Sequence, residues 1–367
     1  MLHPDLARRF SRYLSSTGYR MFHSAFGDGN HDFSGWAQNV EKLADPLRGL
    51  VELFLLRQAL DVERVHAVLG REFTEALLAE GVLLQGNGLI RTPGLILISF
   101  RSLVFFHEYT QRSNIYFGAD SVALGVYQQP AYMGRTLDLC SGTCIQAMIS
   151  AQHGSRAFAV EINPRATKLA AVNLRLNNLQ DKVEIHNEPL ESFAAHVKSS
   201  FDLITFNPPL LPVPEVIDYP FVGDGGGDAL DVTRRVLALY LPHLAPGGAM
   251  AFIGCGMGRK QEPLFVEELG ALAEEHGARG MIQLLKRYDM RRGDVFYDSL
   301  VDTAAINSRL SADLSDAVFS EHFRRLGFDE LYTFFMRIER ETPEDRMMRS
   351  TLRVTDLSDA GNCWFHA

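Results

Sequence analysis

The sequence predicts an α/β protein with a mostly parallel sheet, preceded by a mostly helical region. From residue 135 onward, short apolar runs alternate with segments whose apolar residues recur at helical spacing. Strands and helices in alternation are typical of crossover units in a parallel sheet. The strands are apolar runs rather than strict alternations, as expected when helices cover both faces. A length of 367 residues fits two domains.

The region 1–115 reads as helices followed by a hairpin. Pro46 to Leu60 has apolar residues at helical spacing, and Val62–Leu69 and Glu72–Ala79 predict two shorter helices. A hairpin is predicted over Gly81–Arg91, with Gly86-Asn87-Gly88 as its turn. Helices followed by a hairpin give a winged-helix-like outline. Because acidic and basic residues nearly balance there, we interpret the region as a substrate cap or interaction module rather than a DNA reader.

The sheet domain is predicted over 116–340. Its strands are expected at Arg135–Leu139, Arg156–Val160, Lys182–His186, Phe201–Thr205, Ala249–Ile253, Gly280–Lys286 and Glu330–Arg337. Its helices are expected at Ile145–Gln152, Pro164–Asn177, Ser192–Val197, Asp228–Leu241, Pro263–Glu275 and Leu314–Leu326. An insertion near 288–327 precedes the last strand, and its first part, from Tyr288 to about Asn307, reads as irregular and polar. Residues 341–367 are expected to form a poorly ordered or loosely docked tail.

Composition narrows the class of protein. Hydrophobic residues make up 46% and charged residues 22%, as in ordinary soluble globular proteins. The net charge of -9 disfavours binding to nucleic acid, which needs clustered cations. The four cysteines form no CxxC pair, and we expect them to be reduced, in a cytoplasmic protein. From its composition we expect no signal peptide, no membrane-spanning stretch and no metal site.

The most informative motif is Asn207-Pro208-Pro209-Leu210, which follows a predicted strand. An Asn-Pro-Pro at the end of a strand presents an amide oxygen and a backbone carbonyl side by side at the rim of the sheet. Since proline has no N–H, the turn is stiff and its carbonyls face outward. These fixed acceptors suit a planar N–H group, so the motif indicates an enzyme that alkylates nitrogen. The alternative is a plain turn.

A second turn follows the first strand of the sheet domain, over Asp138-Leu139-Cys140-Ser141-Gly142-Thr143-Cys144. Small residues such as Ser141 and Gly142 allow the backbone to approach a ligand, and the helix that follows offers free N–H groups. A strand-to-helix turn in any α/β protein has a similar composition, so this signal is weak on its own.

Two acidic residues follow the next two strands. Glu161 lies about twenty residues past the turn, where a carboxylate can accept hydrogen bonds from both hydroxyls of a ribose. Glu188 could reach the amino group of an adenine. For each of them the alternative is a solvated surface charge.

Further candidates surround these motifs. The glycine-rich loop Phe221–Leu230 is either a lid over the site or a connector, with Asp228 as a helix cap. Aromatic residues gather before the sheet domain (Phe105, Phe106, Tyr109, Tyr116 and Phe117). Most are expected in the core, and one or two could face a cationic centre. Asp120 is either a holder of an ammonium group or a solvated loop charge.

Together these residues resemble the class I S-adenosylmethionine-dependent methyltransferases, and within them the N-methylating branch typified by the release-factor glutamine methyltransferases. Three pieces carry the resemblance: Asp138 to Thr143, Asn207 to Leu210, and the loop from Gly226 to Leu230. The resemblance implies a Rossmann-like seven-stranded sheet whose last strand is antiparallel. It also implies S-adenosylmethionine as the cofactor.

The resemblance further implies roles for single residues. Gly142 and its neighbours, from Asp138 to Ser141, would hold the methionine part of the cofactor. Glu161 would hold its ribose and Glu188 its adenine. Asn207 and Pro208 would hold the accepting nitrogen. Asp120 is counted with the cofactor-binding residues as a partner for an ammonium group.

The chain also departs from that branch. Leu210 stands where the branch usually has Tyr or Phe, and residues 1–115 do not resemble the helical bundle that grips release factors. A release factor is therefore not the expected acceptor, and a small metabolite or another macromolecule is.

We predict an N-methyltransferase in which the Asn207 oxygen and the Pro208 carbonyl accept the substrate N–H bonds. One alternative is a cyclising enzyme, similar to the azetidine-2-carboxylate synthases, in which the cofactor's own amine attacks and methylthioadenosine is released. Another is a binding module without catalysis.

Overall fold

The structure is a computed structural model that describes residues 3–24, 34–109, 114–130, 133–342 and 352–359. The N-terminal helices are α1 (Pro4–Ser16), α2 (Tyr19–Ser24), α3 (Ser34–Asn39), α4 (Leu47–Phe54), α5 (Val62–Leu69) and α6 (Arg71–Ala79). The strands among and after them are β1 (Leu60–Asp61), β2 (Leu84–Gly86), β3 (Leu89–Arg91), β4 (Leu95–Phe100) and β5 (Leu103–Glu108). Strands β1, β3 and β2 form a small antiparallel sheet beside α5 and α6, and the predicted hairpin turn lies between β2 and β3.

The hairpin of β4 and β5 is buried along its whole length, and the sequence did not predict it. Its edge is closed by two asparagines of a helix that packs against it. Asn173 accepts from Phe106 N–H (2.8 Å) and donates to the Phe106 carbonyl (3.0 Å), while Asn177 does the same with Val104 (2.9 and 2.7 Å). These side chains take the place of a neighbouring strand, since buried backbone groups need partners. They join the N-terminal region to the sheet domain, and one apolar core runs through both.

The sheet domain alternates strands and helices as predicted. Its strands are β6 (Arg135–Leu139), β7 (Arg156–Val160), β8 (Val183–His186), β9 (Phe201–Phe206), β10 (Leu244–Arg259), β11 (Glu262–Pro263), β12 (Ala278–Asp289), β13 (Glu330–Arg340) and β14 (Arg353–Asp356). Its helices are α7 (Ala119–Tyr127), α8 (Ile145–Gln152), α9 (Pro164–Leu176), α10 (Leu190–His196), α11 (Asp231–Tyr240), α12 (Val266–Glu275), α13 (Val295–Ser308) and α14 (Ala312–Leu326).

The large sheet has the order β8-β7-β6-β9-β10-β13-β12, with β14 added at the edge and β11 paired to the end of β10. Strands β8 to β10 pair in parallel, and β13 is antiparallel to both of its neighbours. The parallel-rich sheet with an antiparallel last strand is thus confirmed, and β11 and β14 extend the expected seven strands to nine. The strand order reverses between β6 and β9, and ligands of open α/β sheets bind at such a point, beyond the carboxyl ends of the strands.

Helices cover both faces of this sheet. On β10, Met250 and Phe252 pack with α11 and α12, whereas Ala251 and Ile253 pack with α7, α13 and α14. The alternation follows from the two-residue period of a strand. Both faces are therefore buried, which explains why the strands read as unbroken apolar runs.

One prediction for the C-terminal third is wrong. The first part of the insertion is helix α13 rather than irregular chain. Its start is fixed by Asp294, whose carboxylate accepts from the N–H groups of Phe296 and Tyr297. Within the expected tail, Arg353–Asp356 forms the edge strand β14, paired in parallel with β12. The rest of that tail, including Cys363, lies largely outside the described residues.

No helix in the described part of the chain has the length and apolar character needed to cross a bilayer. Within the same residues, no group of three or more His, Cys, Asp or Glu side chains is arranged to hold a metal ion.

Candidate active site

The register of the parallel strands brings the predicted residues to one edge of the sheet. Leu139 at the end of β6 is paired with Val160 of β7 on one side and with Phe206 of β9 on the other. Val160 is in turn paired with His186 of β8. The residue that follows each strand therefore leaves the sheet at the same level.

A cavity of about 540 Å³ opens at this edge, which we call the edge cavity. All the residues that the sequence singled out for the cofactor or the acceptor line it. They are Asp120, Asp138, Ser141, Gly142, Glu161, Glu188, Asn207 and Pro208. Their roles are not tested by this placement, but the convergence that the roles require is present.

The turn after β6 is built from left-handed residues. Cys140, Gly142 and Cys144 have φ values of +53°, +48° and +63°, and α8 begins at the next residue. The Gly142 N–H donates to Glu161 Oε2 (2.8 Å), and the Ser141 N–H donates to the Val160 carbonyl (3.2 Å). The backbone thus wraps the end of β6 against the end of β7.

Asp138 lies beneath this turn and is only 2% exposed. One of its oxygens accepts from Ala147 N–H (3.1 Å) in the first turn of α8, and the other from the Thr205 hydroxyl (3.0 Å) on β9. Burial raises the pKa of this carboxyl to about 8. Since both oxygens have partners within the protein, Asp138 positions the turn. The contact with the cofactor that the sequence assigned to it stays a prediction.

Glu161 is held by the backbone on both of its oxygens. Oε2 accepts from Gly142 N–H and Oε1 from Asn163 N–H, each at 2.8 Å. Burial raises the pKa of Glu161, and these two N–H groups oppose the rise. Each carboxylate oxygen has more than one lone pair, so the group can still accept hydrogen bonds from a ligand in the edge cavity.

Glu188 is placed more loosely. Its carboxylate contacts His196 Nε2 at 3.0 and 3.1 Å, and its side chain is 24% exposed. It lines the edge cavity and already has a partner there, and its contact with adenine stays a prediction.

Asn207 has a fixed orientation. Its Nδ2 donates to Asp120 Oδ2 (2.9 Å) and to Ser121 Oγ (3.1 Å). Because an ionised carboxylate only accepts, the amide nitrogen must face Asp120 and the amide oxygen must face away from it. Among the described residues, neither Asn207 Oδ1 nor Asp120 Oδ1 has a hydrogen-bond partner, although both atoms are buried.

Hydrogen bonds anchor the glycine-rich loop. Some of them connect it to the segment that directly follows Asn-Pro-Pro. Leu211 exchanges backbone hydrogen bonds with Gly223 and Gly225 (2.8 and 2.9 Å), and His322 Nε2 contacts the Gly227 carbonyl (2.8 Å). The predicted capping role of Asp228 is wrong in detail. Its carboxylate accepts from Leu230 N–H and from Arg234, whereas α11 begins at Asp231. Asp228 therefore makes a turn before the helix rather than the cap itself.

The aromatic cluster divides as expected. Phe105, Phe106 and Phe117 are buried in the core, and Phe105 and Phe117 meet edge to face with ring centroids 4.9 Å apart. Tyr109 stacks under the guanidinium of Arg57, and Tyr116 lines the edge cavity.

Several lining residues were missed by the sequence analysis. Tyr219 comes from the segment after Asn-Pro-Pro, and Phe296 and Thr303 come from α13. Thr303 hydrogen-bonds the Tyr219 hydroxyl, and burial raises the pKa of that tyrosine. The signal for α13 was present, because Tyr297, Leu300, Val301 and Ala304 recur at helical spacing after a capping aspartate.

Residues 122–217 match the family model of the methyltransferase small domain. The ribosomal protein uL3 glutamine methyltransferase of Bradyrhizobium diazoefficiens is 35% identical over 157 residues, which are 40% of this chain and 48% of that protein. The release factor glutamine methyltransferase of Rhodospirillum rubrum is 34% identical over 38% of this chain and 45% of its own length. The tRNA1(Val) (adenine(37)-N6)-methyltransferase of Pasteurella multocida is 30% identical over 29% of this chain and 46% of its own length. The chain spans about half the length of these relatives.

These matches support a class I S-adenosylmethionine-dependent methyltransferase domain related to the release-factor glutamine methyltransferases, and they support S-adenosylmethionine as its cofactor. The order of the large sheet agrees with that assignment.

The residues of the edge cavity fit this cofactor. Its lining holds six acidic residues (Asp120, Asp138, Glu161, Glu188, Glu191 and Asp224) and one cationic side chain, Arg235, which pairs with Glu191. Asp138 contributes little negative charge near pH 7, because burial raises its pKa to about 8. An acidic lining suits a positively charged sulfonium. The unpartnered oxygens of Asn207 and Asp120 are also acceptors that a bound group with N–H bonds would satisfy.

Proposed function

We propose that the protein transfers a methyl group from S-adenosylmethionine to a nitrogen of a small metabolite. The orientation of Asn207 carries the proposal. Its amide nitrogen is held by two acceptors, which leaves Oδ1 as a buried acceptor without a partner among the described residues. Such an oxygen costs about 1–3 kcal/mol unless a ligand donates to it.

The cofactor supplies a methyl group that is already activated, so the protein mainly supplies position. Asn207 Oδ1 and the Pro208 carbonyl accept the N–H bonds of the nucleophile and so direct its lone pair. Orientation of this kind accounts for a large part of the rate of a two-reactant step. A nitrogen that arrives neutral needs no strong general base.

The edge cavity has two ends in this proposal. The cofactor end is formed by Ser141, Gly142, Glu161 and Glu188, which follow β6, β7 and β8. It holds the methionine part, the ribose and the adenine.

The acceptor end is formed by Asp120, Asn207, Pro208, Tyr219 and Thr303. It holds the nucleophile.

The size and charge of the edge cavity support a small acceptor. A volume of about 540 Å³ lies in the range of small-molecule sites. Helix α13 and the segment around Tyr219 wall the acceptor end, and the acidic lining opposes a polyanionic substrate such as RNA. The relatives named for protein glutamine and tRNA adenine show that the same domain serves larger acceptors elsewhere, so the acceptor must be tested directly.

The test uses the purified full chain. Calorimetry with S-adenosylmethionine and with S-adenosylhomocysteine measures binding, and mass spectrometry identifies the nucleoside product with and without the low-molecular-mass fraction of a cell extract. S-adenosylhomocysteine formed only with that fraction supports transfer to a metabolite. Methylthioadenosine formed from the cofactor alone replaces the proposal with cyclisation. If neither compound binds, the protein is a binding module and the proposal is wrong.

A further inference from the structure

The acceptor end contains a second buried acceptor beside Asn207. Asp120 is 5% exposed and lines the edge cavity, and its Oδ2 is only 2.9 Å from Asn207 Nδ2. Its Oδ1 is buried and makes no hydrogen bond of ordinary geometry with the described residues, although the Tyr116 hydroxyl lies close to the carboxylate. The hydrogen-bonded pair therefore presents two unpartnered oxygens, one from a neutral amide and one from a carboxylate.

Asn207 and Asp120 together offer more hydrogen-bond acceptors and more negative charge than a neutral nitrogen requires. A carboxamide or an adenine amino group has two N–H bonds, which Asn207 Oδ1 and the Pro208 carbonyl satisfy. An aliphatic ammonium has three N–H bonds and a positive charge, and Asp120 Oδ1 supplies both a third acceptor and a negative charge. The position after Asn-Pro-Pro agrees with this difference, because Leu210 cannot stack on a planar group as an aromatic ring does.

We propose, on the basis of the function proposed above, that the nucleophile is an aliphatic amine that enters as an ammonium ion, and that Asp120 takes its proton. The proton moves from nitrogen to Asp120 Oδ1, which leaves a neutral amine and a neutral carboxyl. The nitrogen lone pair then forms a bond to the electrophilic carbon, and the electron pair of the broken carbon–sulfur bond remains on sulfur. Asp120 returns its proton to solvent after product release.

The surroundings of Asp120 suit a proton acceptor. Burial raises its pKa, and hydrogen bonds from the Asn207 amide, the Ser121 N–H and the Tyr116 hydroxyl oppose the rise. The titratable groups near it are Tyr116, which precedes α7, and Cys255 on β10, and Tyr219 acts electrostatically on Tyr116. Exclusion of solvent from the hydroxyl or thiol raises the pKa of all three, although Tyr116 as a whole residue is 44% exposed, so they stay neutral near pH 7. The carboxyl of Asp120 is thus the group of this cluster that can carry charge there.

The chemical class of the nucleophile can be determined without identifying the acceptor molecule. The full chain is incubated with methyl-¹³C-labelled S-adenosylmethionine and the low-molecular-mass fraction of a cell extract, and products are separated by cation exchange at pH 7. A labelled product retained as a cation supports the inference. Methylthioadenosine formed from the cofactor alone replaces the proposed methyl transfer with cyclisation, and so overturns the inference that rests on that transfer. A labelled neutral amide or nucleobase overturns the inference but leaves N-methyl transfer intact. Absence of cofactor binding and of both products overturns both.

Asp120→Asn tests the proton transfer. The substitution keeps an acceptor oxygen and removes the charge, so only the neutral form of the amine can react. We expect kcat/KM at pH 7 to fall about a hundredfold, and to recover about tenfold for each unit of higher pH, while the wild-type profile stays flatter. Affinity for S-adenosylmethionine, measured by calorimetry, should change less than threefold. A large loss of cofactor affinity, with an unchanged pH profile, would instead assign Asp120 to the cofactor.

The matched control is Asp181→Asn, which removes the same charge from an exposed position whose carboxylate contacts only Gln180 among the described residues. It should leave kcat/KM and its pH profile unchanged. If Asp120→Asn does not fold, the product class measured on the wild-type chain still decides the inference.

Discussion

The two ends of the edge cavity are built in different ways. Every residue of the cofactor end follows one of three neighbouring parallel strands, so chain direction and strand register place it. The acceptor end instead combines the start of α7, the end of β9, the segment around Tyr219 and the insertion helix α13. The parallel sheet alone therefore places the cofactor end, whereas the acceptor end depends on the segments and the insertion helix that pack around the sheet.

The largest expected effect is at the acceptor end. Asn207→Ala removes the oriented acceptor and should lower turnover about a thousandfold, because removal of one oriented polar group from a reacting centre typically costs a hundredfold to a thousandfold. Affinity for the cofactor should change less than threefold. Single-turnover kinetics and calorimetry separate the two quantities.

The control for this substitution is Gln152→Ala, which removes an exposed amide that donates to Ser102 Oγ. It should leave turnover unchanged. Unchanged turnover in Asn207→Ala would contradict the role assigned to this residue and remove the distinction between the two ends.

At the cofactor end, Glu161→Gln should lower affinity for S-adenosylmethionine about tenfold to a hundredfold, since hydrogen bonds to a charged group contribute about 1.5–3 kcal/mol. Turnover at saturating cofactor should fall much less. Glu274→Gln, an exposed position on α12, is the matched control and should bind like the wild type. If Glu161→Gln instead lowers turnover and spares affinity, the two ends do not have separate tasks.

The same difference decides what the sequence could predict. Strand order and the meeting of Gly142, Glu161 and Asn207 at one edge follow from the alternation of strands and helices, because parallel strands end on the same side of a sheet. Helix α13 also had a local signal, an aspartate cap and apolar residues at helical spacing, which its polar residues masked. The approach of Thr303 to Tyr219 had no such signal, since it depends on packing between distant segments.

The buried hairpin of β4 and β5 could not be predicted from the sequence, for a physical reason. Its turn is made by Arg101 and Ser102, both left-handed with φ values of +46° and +64°. Turns of this kind usually contain Asn or Gly, so the residues give no warning of it. The asparagines that close its edge lie on α9, far along the chain, and hold it there through tertiary hydrogen bonds.

A smaller effect should show whether α13 contributes to binding at the acceptor end. Thr303→Val removes the hydrogen bond to the Tyr219 hydroxyl and keeps the shape of the side chain. The KM for the acceptor should rise about fivefold, since a neutral hydrogen bond contributes about 0.5–1.5 kcal/mol. Thr167→Val on α9, whose hydroxyl donates to a helix carbonyl, is the control. An unchanged KM would mean that α13 walls the cavity without contacting the acceptor.

The smallest expected effect is at the outer limit of the cofactor end. Glu188 is a quarter exposed and already contacts His196, so a hydrogen bond from adenine would add to an occupied and partly hydrated group. Glu188→Gln should therefore weaken cofactor binding only about twofold to threefold in calorimetry, with turnover unchanged. A loss as large as that of Glu161→Gln would show that the cofactor end grips adenine as firmly as ribose. The cofactor end would then include a strong contact at the end of β8, despite the partial exposure of Glu188.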